Sequence, residues 1–262
     1  MATLPNFLLK LALDPSGQAL GLDLPPGMVL DETDDGPLDE PLLWYADVRA
    51  ESGGWALVEP ARRTVGLLPV IVEAGDGHHG PDDWELAPGD MSYPGDHDAD
   101  EVLAGLWEEC AADGEEWPGT AAVVEGGADP DTVAARVAEV LLGDGGPLKD
   151  PRLALVPARR SADIPAAIGW TGPVNHESDA GRLSAVLRSW EDRFGIRVVV
   201  LGFDHLLVSV AAPPTTPEEA EAVAAEHFAF CPDNVWQGAH TDLRAYARHR
   251  VLGQEAWHFW WD

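Results

Sequence analysis

The segment from Ile196 to Ala211 limits the folds open to this chain more than any other. Ile196 to Leu201 and Leu206 to Ala211 are short apolar runs separated by Gly202-Phe203-Asp204, the pattern of two strands joined by a turn. Side chains alternate across a strand, so Leu206, Val208 and Val210 share one face while Leu207, Ser209 and Ala211 share the other. Both faces are mostly apolar, and neither can be left in water. The sheet must be covered twice, which requires a layered α+β arrangement in which another part of the chain lies over the second face.

The surrounding elements supply one of those layers. Leu153 to Val156 is a short apolar run that predicts a strand. Ser178 or Asp179 can cap a helix that carries Leu183, Val186, Leu187, Trp190 and Phe194 on one face, and Gly195 can end it. Thr216-Pro217-Glu218-Glu219 combines a capping threonine, a proline at the first helical position and a glutamate placed for a capping box. The helix it opens should bury Ala220, Val223, Ala224, His227 and Phe228, and Thr241 can cap a further helix with Leu243, Tyr246 and Ala247 inward. Trp257 to Trp261 closes the series as an aromatic strand. The order is that of a ferredoxin-like, split βαβ sandwich with one extra helix. It predicts that 257–261 pairs antiparallel with 153–156, with Trp257, Phe259 and Trp261 toward the helices and His258 and Trp260 turned away.

Residues 1–143 read as an acidic mixed α/β region, 144–151 as a linker and 152–262 as the C-terminal domain. In the first region, Leu42 to Val48 and Gly66 to Val72 predict strands, the second interrupted by Pro69. A loop rich in Gly, Asp and Pro follows to about Asp98. Two helices come next, one with Val102, Leu103, Leu106 and Cys110 on a face, the other over 131–142. The Gly143-Asp144-Gly145-Gly146-Pro147 cluster coincides with a change in charge. Residues 1–150 hold 32 acidic and 6 basic side chains, residues 151–262 hold 14 and 10, and the formal net charge is −30. Such a field repels nucleic acid and anionic membranes, so neither is expected as a partner. A basic protein partner is compatible with it, and so is a merely solvated surface. No run approaches the roughly 20 apolar residues of a membrane helix, and the start lacks a cationic leader, so the cytoplasm is expected. Cys110 and Cys231 are then expected as reduced thiols.

Three stretches carry a resemblance to a known family. GWTGPVNHESD (169–179), LRSWEDRFG (187–195) and HFAFCPDNVWQG (227–238), followed by the terminal FWWD (259–262), occur in order over about the last hundred residues. Together they resemble the domain-of-unknown-function family DUF4253. The resemblance implies family membership for that part of the chain and implies no activity.

The residues themselves offer a short list of candidates. His227 and Cys231 are four apart and share a helix face, where a histidine can favour a thiolate nucleophile. With His176 and Asp233 they could make a small hydrolase or transferase site. Two features oppose this. His227 falls among apolar positions, and Cys231 lies at a helix C-terminus, where the dipole disfavours a thiolate. Asn175, His176, Asp233, Asn234, Trp236, Gln237 and Trp260 are the candidates for binding, set in or beside loops at helix ends. Neither CxxC nor HExxH is present, and Asp96, Asp98 and Asp100 depart from a calcium loop at Glu101 and Trp107. Those aspartates are expected to cap a helix, and His78-His79 to form a solvated loop tip. No metal or cofactor is expected, and no GxSxG or phosphate-binding loop occurs. The leading expectation is a non-enzymatic binding module, such as an acidic inhibitor or immunity-like protein for a basic partner, with the hydrolase or transferase as the alternative.

Overall fold

The computed structural model describes residues 6–75, 77, 80–112, 114–240 and 242–262. The strands are β1 (Gly27–Leu30), β2 (Glu32–Thr33), β3 (Gly36–Pro37), β4 (Leu43–Ala46), β5 (Leu68–Glu73), β6 (Pro151–Val156), β7 (Arg197–Leu201), β8 (His205–Ser209) and β9 (Ala256–Trp260). The helices before β6 are α1 (Leu8–Leu13), α2 (Trp55–Val58), α3 (Pro60–Val65), α4 (Ala99–Cys110) and α5 (Pro130–Leu142). After it come α6 (Ile164–Ile168), α7 (Ala180–Phe194), α8 (Pro217–Phe230), α9 (Asp233–Trp236) and α10 (Leu243–Tyr246), the last running into a π-helical turn at Ala247–Val251.

Among the described residues, seven strands form one mixed sheet in the order β1-β4-β6-β5-β7-β8-β9, and β2-β3 make a separate small hairpin. Neighbours are antiparallel except β5 and β7, which run parallel through Ile71↔Val200 and Val72↔Leu201. Pro69 lies at the end of β5 that this parallel pairing does not reach, so β7 asks nothing of its missing N–H.

The ferredoxin-like pairing expected from element order is not the one adopted. β9 pairs antiparallel with β8, Phe259 opposite Leu206 and Trp257 opposite Val208, and does not touch β6. β6 lies between β4 and β5, so strands from both sides of residues 144–151 interleave. The facing of β9 does follow from alternation: Trp257, Phe259 and Trp261 are buried, His258 is exposed and Trp260 is half-buried.

Both sheet faces are covered, as the apolar β8 requires. On one face, Tyr45, Val70, Ala154, Val198, Leu206, Val208, Trp257 and Phe259 pack with α4, α6, α7 and α8. On the other, Trp44, Ile71, Leu155, Val199, Val200 and Leu207 meet α1, α2, α3 and α5. A bulge between Val198 and Val200 lets Val199 and Val200 both serve this second layer. Acidic or hydroxyl side chains fix the helix starts: Asp98 caps α4, Asp129 caps α5, Asp179 caps α7, and Thr216 with Glu219 closes the capping box of α8. Asp242 caps α10; Thr241 and the His78-His79 tip lie outside the described residues.

The facing of β9 gives a direct stability prediction. Trp261→Ala removes a side chain that is 2% exposed and should lower the unfolding free energy by about 3–5 kcal/mol. Trp260→Ala should cost less than half of that in urea denaturation. Equal losses would show that the face turned away from α7 and α8 is packed as tightly as the core.

Candidate functional site

β9 is the last strand of the sheet, so one side of its backbone has no strand to bond. Trp261 N donates to Asp204 O (3.0 Å) and Glu255 O accepts from Val210 N (2.8 Å). Backbone direction alternates along a strand, so residues 255, 257, 259 and 261 face β8 while 258, 260 and 262 face outward. Side chains of the predicted site meet those outward groups. Asn234 Nδ2 donates to His258 O (2.7 Å) and the Cys231 thiol to Trp260 O (3.0 Å). Asp233 Oδ2 accepts from Asp262 N (3.1 Å), and Asn175 Nδ2 donates to Asp262 O (2.9 Å). Gln237 Nε2 steadies Asp233 from one turn away (3.0 Å). Side chains of the Cys231-Pro232-Asp233-Asn234 segment, where α8 gives way to α9, thus take the place of a neighbouring strand's backbone. Gly238 closes the turn, since a Cβ there would lie 2.0 Å from Asn234 O.

The other candidates divide between core and surface. His176 Nε2 donates to Ala229 O (2.9 Å), fastening the 173–179 loop to the end of α8. Trp236 is 56% exposed and meets Phe228 edge-on. His227 and Cys231 have no exposed surface, and no hydrogen bond joins their side chains among the described residues. Burial pushes the Cys231 thiol up, so it is protonated at neutral pH. His227 is enclosed by Trp257, Phe259 and Trp190, with ring centroids at 4.5, 4.8 and 5.1 Å. Asn234 Nδ2 donates to the Tyr246 hydroxyl (3.1 Å), which leaves that hydroxyl's proton for His227 Nδ1 (3.1 Å) and puts the imidazole proton on Nε2. Burial lowers the His227 pKa to about 3, so the ring is neutral.

Two groups in this region escaped the sequence reading. Glu226 is fully buried, yet it accepts from both terminal nitrogens of Arg193 (2.7 and 2.6 Å), from Trp190 Nε1 (2.7 Å) and from Ala121 N (2.6 Å). A helical glutamate normally reads as a solvent contact; its place beside His227 on an otherwise apolar face was the only signal. The second group is polar and reachable. Asp204 Oδ2 accepts from Trp260 Nε1 (3.0 Å), while Oδ1 is 3.3 Å from His205 Nδ1. Burial works upward on Asp204, but these two partners outweigh it and hold the carboxyl below its usual value. His258 stands diagonally across from His205, with ring centroids 5.8 Å apart. Desolvation by the groove walls around this surface residue, then His205 and Arg250, move the His258 imidazole below its ordinary value.

These side chains border two adjoining hollows on the open face of β8 and β9. One, of about 320 Å³, is lined by Phe203, Asp204, His205 and Lys149; the other, of about 300 Å³, by Asp233, Asn234, Gln237, Tyr246 and Arg250. His258 and Trp260 line both. The structure therefore brings Asp233, Asn234, Gln237 and Trp260 to one groove, while Asn175, His176, Trp236, His227 and Cys231 do not line it. Among the described residues, no group of three or more His, Cys, Asp or Glu side chains is placed to hold a metal ion, and no helix is long and apolar enough to cross a membrane.

Fold and groove define a two-faced mixed-sheet α+β protein whose aromatic last strand is sealed by a loop. Residues 152–262, from β6 to the end of β9 and beyond, match the model of the family described as "Domain of unknown function (DUF4253)". No curated protein and no solved structure matches the chain.

The neutral His227 predicts a pH dependence. Its folded pKa lies below the ordinary value near 6.5, so on acidification the unfolded chain takes up a proton that the folded chain refuses. This contribution to stability is complete above about pH 6.5 and falls by about 1.4 kcal/mol per pH unit below it. Between about pH 7 and 5, the stability from urea unfolding should fall more steeply in the wild type than in His227→Gln by about that slope, the variant keeping the contribution of His258, whose imidazole is also below its ordinary value. Identical slopes would mean that the folded chain protonates His227.

Proposed function

We propose that the protein is a non-enzymatic binding module that engages a basic protein partner through its acidic N-terminal region, as an inhibitor or immunity-like protein does. The observation that carries this reading is how the two signs of charge are deployed. Seven of the 14 arginines are partly buried, and each of these pairs with a carboxylate, as in Arg188–Asp163 (2.5 Å), Arg193–Glu226 (2.6 Å) and Arg197–Asp131 (2.8 Å). Asp31, Glu32, Asp34 and Asp35, on and around the β2-β3 hairpin, are exposed and enter no ion pair among the described residues. Excess negative charge therefore faces solvent unpaired, while half of the arginines are drawn into partly buried pairs. A surface of that kind attracts a basic partner over a screening length of about 8–10 Å at ordinary salt.

The buried Cys231 and His227 support the same reading. A nucleophile needs a thiolate and access, and this thiol has neither. Asn175, His176, Asp233, Asn234 and Gln237 act on this view as clamps, leaving Trp260 and the exposed Trp236 as the aromatic contacts. Cys110 and Cys231 are both free thiols, which fits a cytoplasmic setting.

The test compares wild type with a variant carrying Asp31→Asn, Glu32→Gln, Asp34→Asn and Asp35→Asn. A Lys- and Arg-rich protein should cross-link to the wild type in its source cells, with an affinity that falls at least about tenfold between about 50 and about 200 mM salt. The variant should show a similar loss already at the lower salt. A partner whose affinity ignores both salt and the four substitutions would remove the acidic-surface reading.

A further inference from the structure

A second hollow, remote from the β8-β9 groove, gathers positive charge in a chain where positive charge is scarce. It measures about 60 Å³ and lies where α2, α3, α5 and the start of β5 meet the 159–161 loop, α7 and the start of β7. Arg62, Arg159, Arg160 and Arg197 line it, four of the 16 basic side chains of the protein. Its acidic lining residues are Glu59, Asp131 and Glu191, and Asp192 beside it pairs with Arg160 (2.5 Å), so guanidinium groups match carboxylates here although acids outnumber bases 46 to 16 in the whole chain.

The carboxylates do not exhaust the donors. One oxygen of Asp131 serves two guanidinium groups, pairing with Arg62 Nη1 and with Arg197 Nε (2.8 Å). Burial works upward on Asp131, but these arginines outweigh it and hold the carboxyl below its usual value. Arg197 Nη1 is further bonded to Glu191 (3.2 Å) and Ile196 O (2.8 Å), and Arg160 to Glu191 and Asp192, but arginine has five N–H donors in a planar fork, so Arg62 and the Nη2 of Arg197 keep donors beyond these pairs. Ser161 Oγ accepts from Val198 N (2.8 Å), which leaves its own proton to donate. Trp55 also lines the hollow; it is only 4% exposed, and its indole N–H finds no acceptor among the described residues.

We propose that this hollow binds a tetrahedral oxyanion, a phosphate or the phosphoryl end of a small phosphomonoester. Guanidinium groups match the geometry and charge of phosphoryl oxygens, and the Trp55 N–H and Ser161 hydroxyl supply neutral donors beside them. The volume fits: a single water needs about 10–15 Å³ on the same measure, so the space takes a few waters or one small anion. The ligand would bridge residues before and after the 144–151 stretch, and its binding would raise the melting temperature by mass action.

The experiment titrates the full chain with inorganic phosphate and, separately, with phenyl phosphate, at constant ionic strength set by chloride. Binding is read by phosphorus NMR and by the shift in melting temperature. Saturable binding of either probe below about 10 mM is the expected result. Preference for phosphate assigns the free ion, and preference for phenyl phosphate assigns the esterified group. Trp55→Phe, which deletes the N–H and keeps a ring, and Arg62→Gln should each weaken binding about five- to tenfold or more, a difference of about 1–1.4 kcal/mol. If one variant fails to fold, the other decides. Absence of saturable binding to the wild type, or wild-type affinity in the folded variants, would overturn the proposal.

Discussion

The backbone of β9 has to be bonded on a side where no strand exists. The strand delivers Trp257 and Phe259, and just beyond it Trp261, to the main core, yet it stands at the margin of the sheet. An edge strand with bare backbone groups frays or recruits foreign strands. Here the edge is covered from within by Cys231, Asp233, Asn234 and Asn175, which bond the outward carbonyls of His258 and Trp260 and both backbone groups of Asp262. Cys231-Pro232-Asp233-Asn234 is placed to do this because α8 ends at Phe230 and the chain turns along β9. Cys231 and Asp233, two of the four residues that look catalytic in the sequence, thus bond this strand, while His176 bonds Ala229 O and His227 the Tyr246 hydroxyl.

The same need organises the core behind β9. Tyr246 ties the edge to the interior: its hydroxyl links Asn234 at the rim to His227 among the tryptophans. One residue before His227, Glu226 brings a full charge into the aromatic layer and is matched by Arg193, Trp190 and Ala121. Removing one partner of such a pair leaves an uncompensated buried charge and typically costs about 3–5 kcal/mol. Because Ala121 precedes β6 and Arg193 follows it, this contact also fastens the 114–129 segment to α7 and α8.

Local features of the fold were legible in the sequence. The capping box at Thr216, the caps at Asp98 and Asp179, the end of α7 at Gly195 and the two apolar faces of β8 all depend on residues close together in the chain. The pairing of β9 was not legible, because it depends on β5 occupying the place between β6 and β7, a contact set by distant segments. The site divides in the same way. Asp233, Asn234, Gln237 and Trp260 stood out as polar or aromatic residues in a dense motif, and they do converge on the groove. His205 and His258 did not stand out, since only cross-strand pairing brings them together. Glu226 and Arg193 were hidden by the ordinary habit of charged helical residues to face water.

The edge seal is open to direct measurement by native-state hydrogen exchange of the 256–262 segment in wild type and Asn234→Ala. Loss of the Asn234 amide frees His258 O and Tyr246 of a partner while leaving the aromatic packing in place. Exchange in 256–262 should accelerate at least about tenfold, equivalent to about 1.4 kcal/mol, while β4, β5 and β6 keep their protection. Unchanged exchange at 256–262 in a folded Asn234→Ala protein would contradict the account, because β9 would then be held without its side-chain seal.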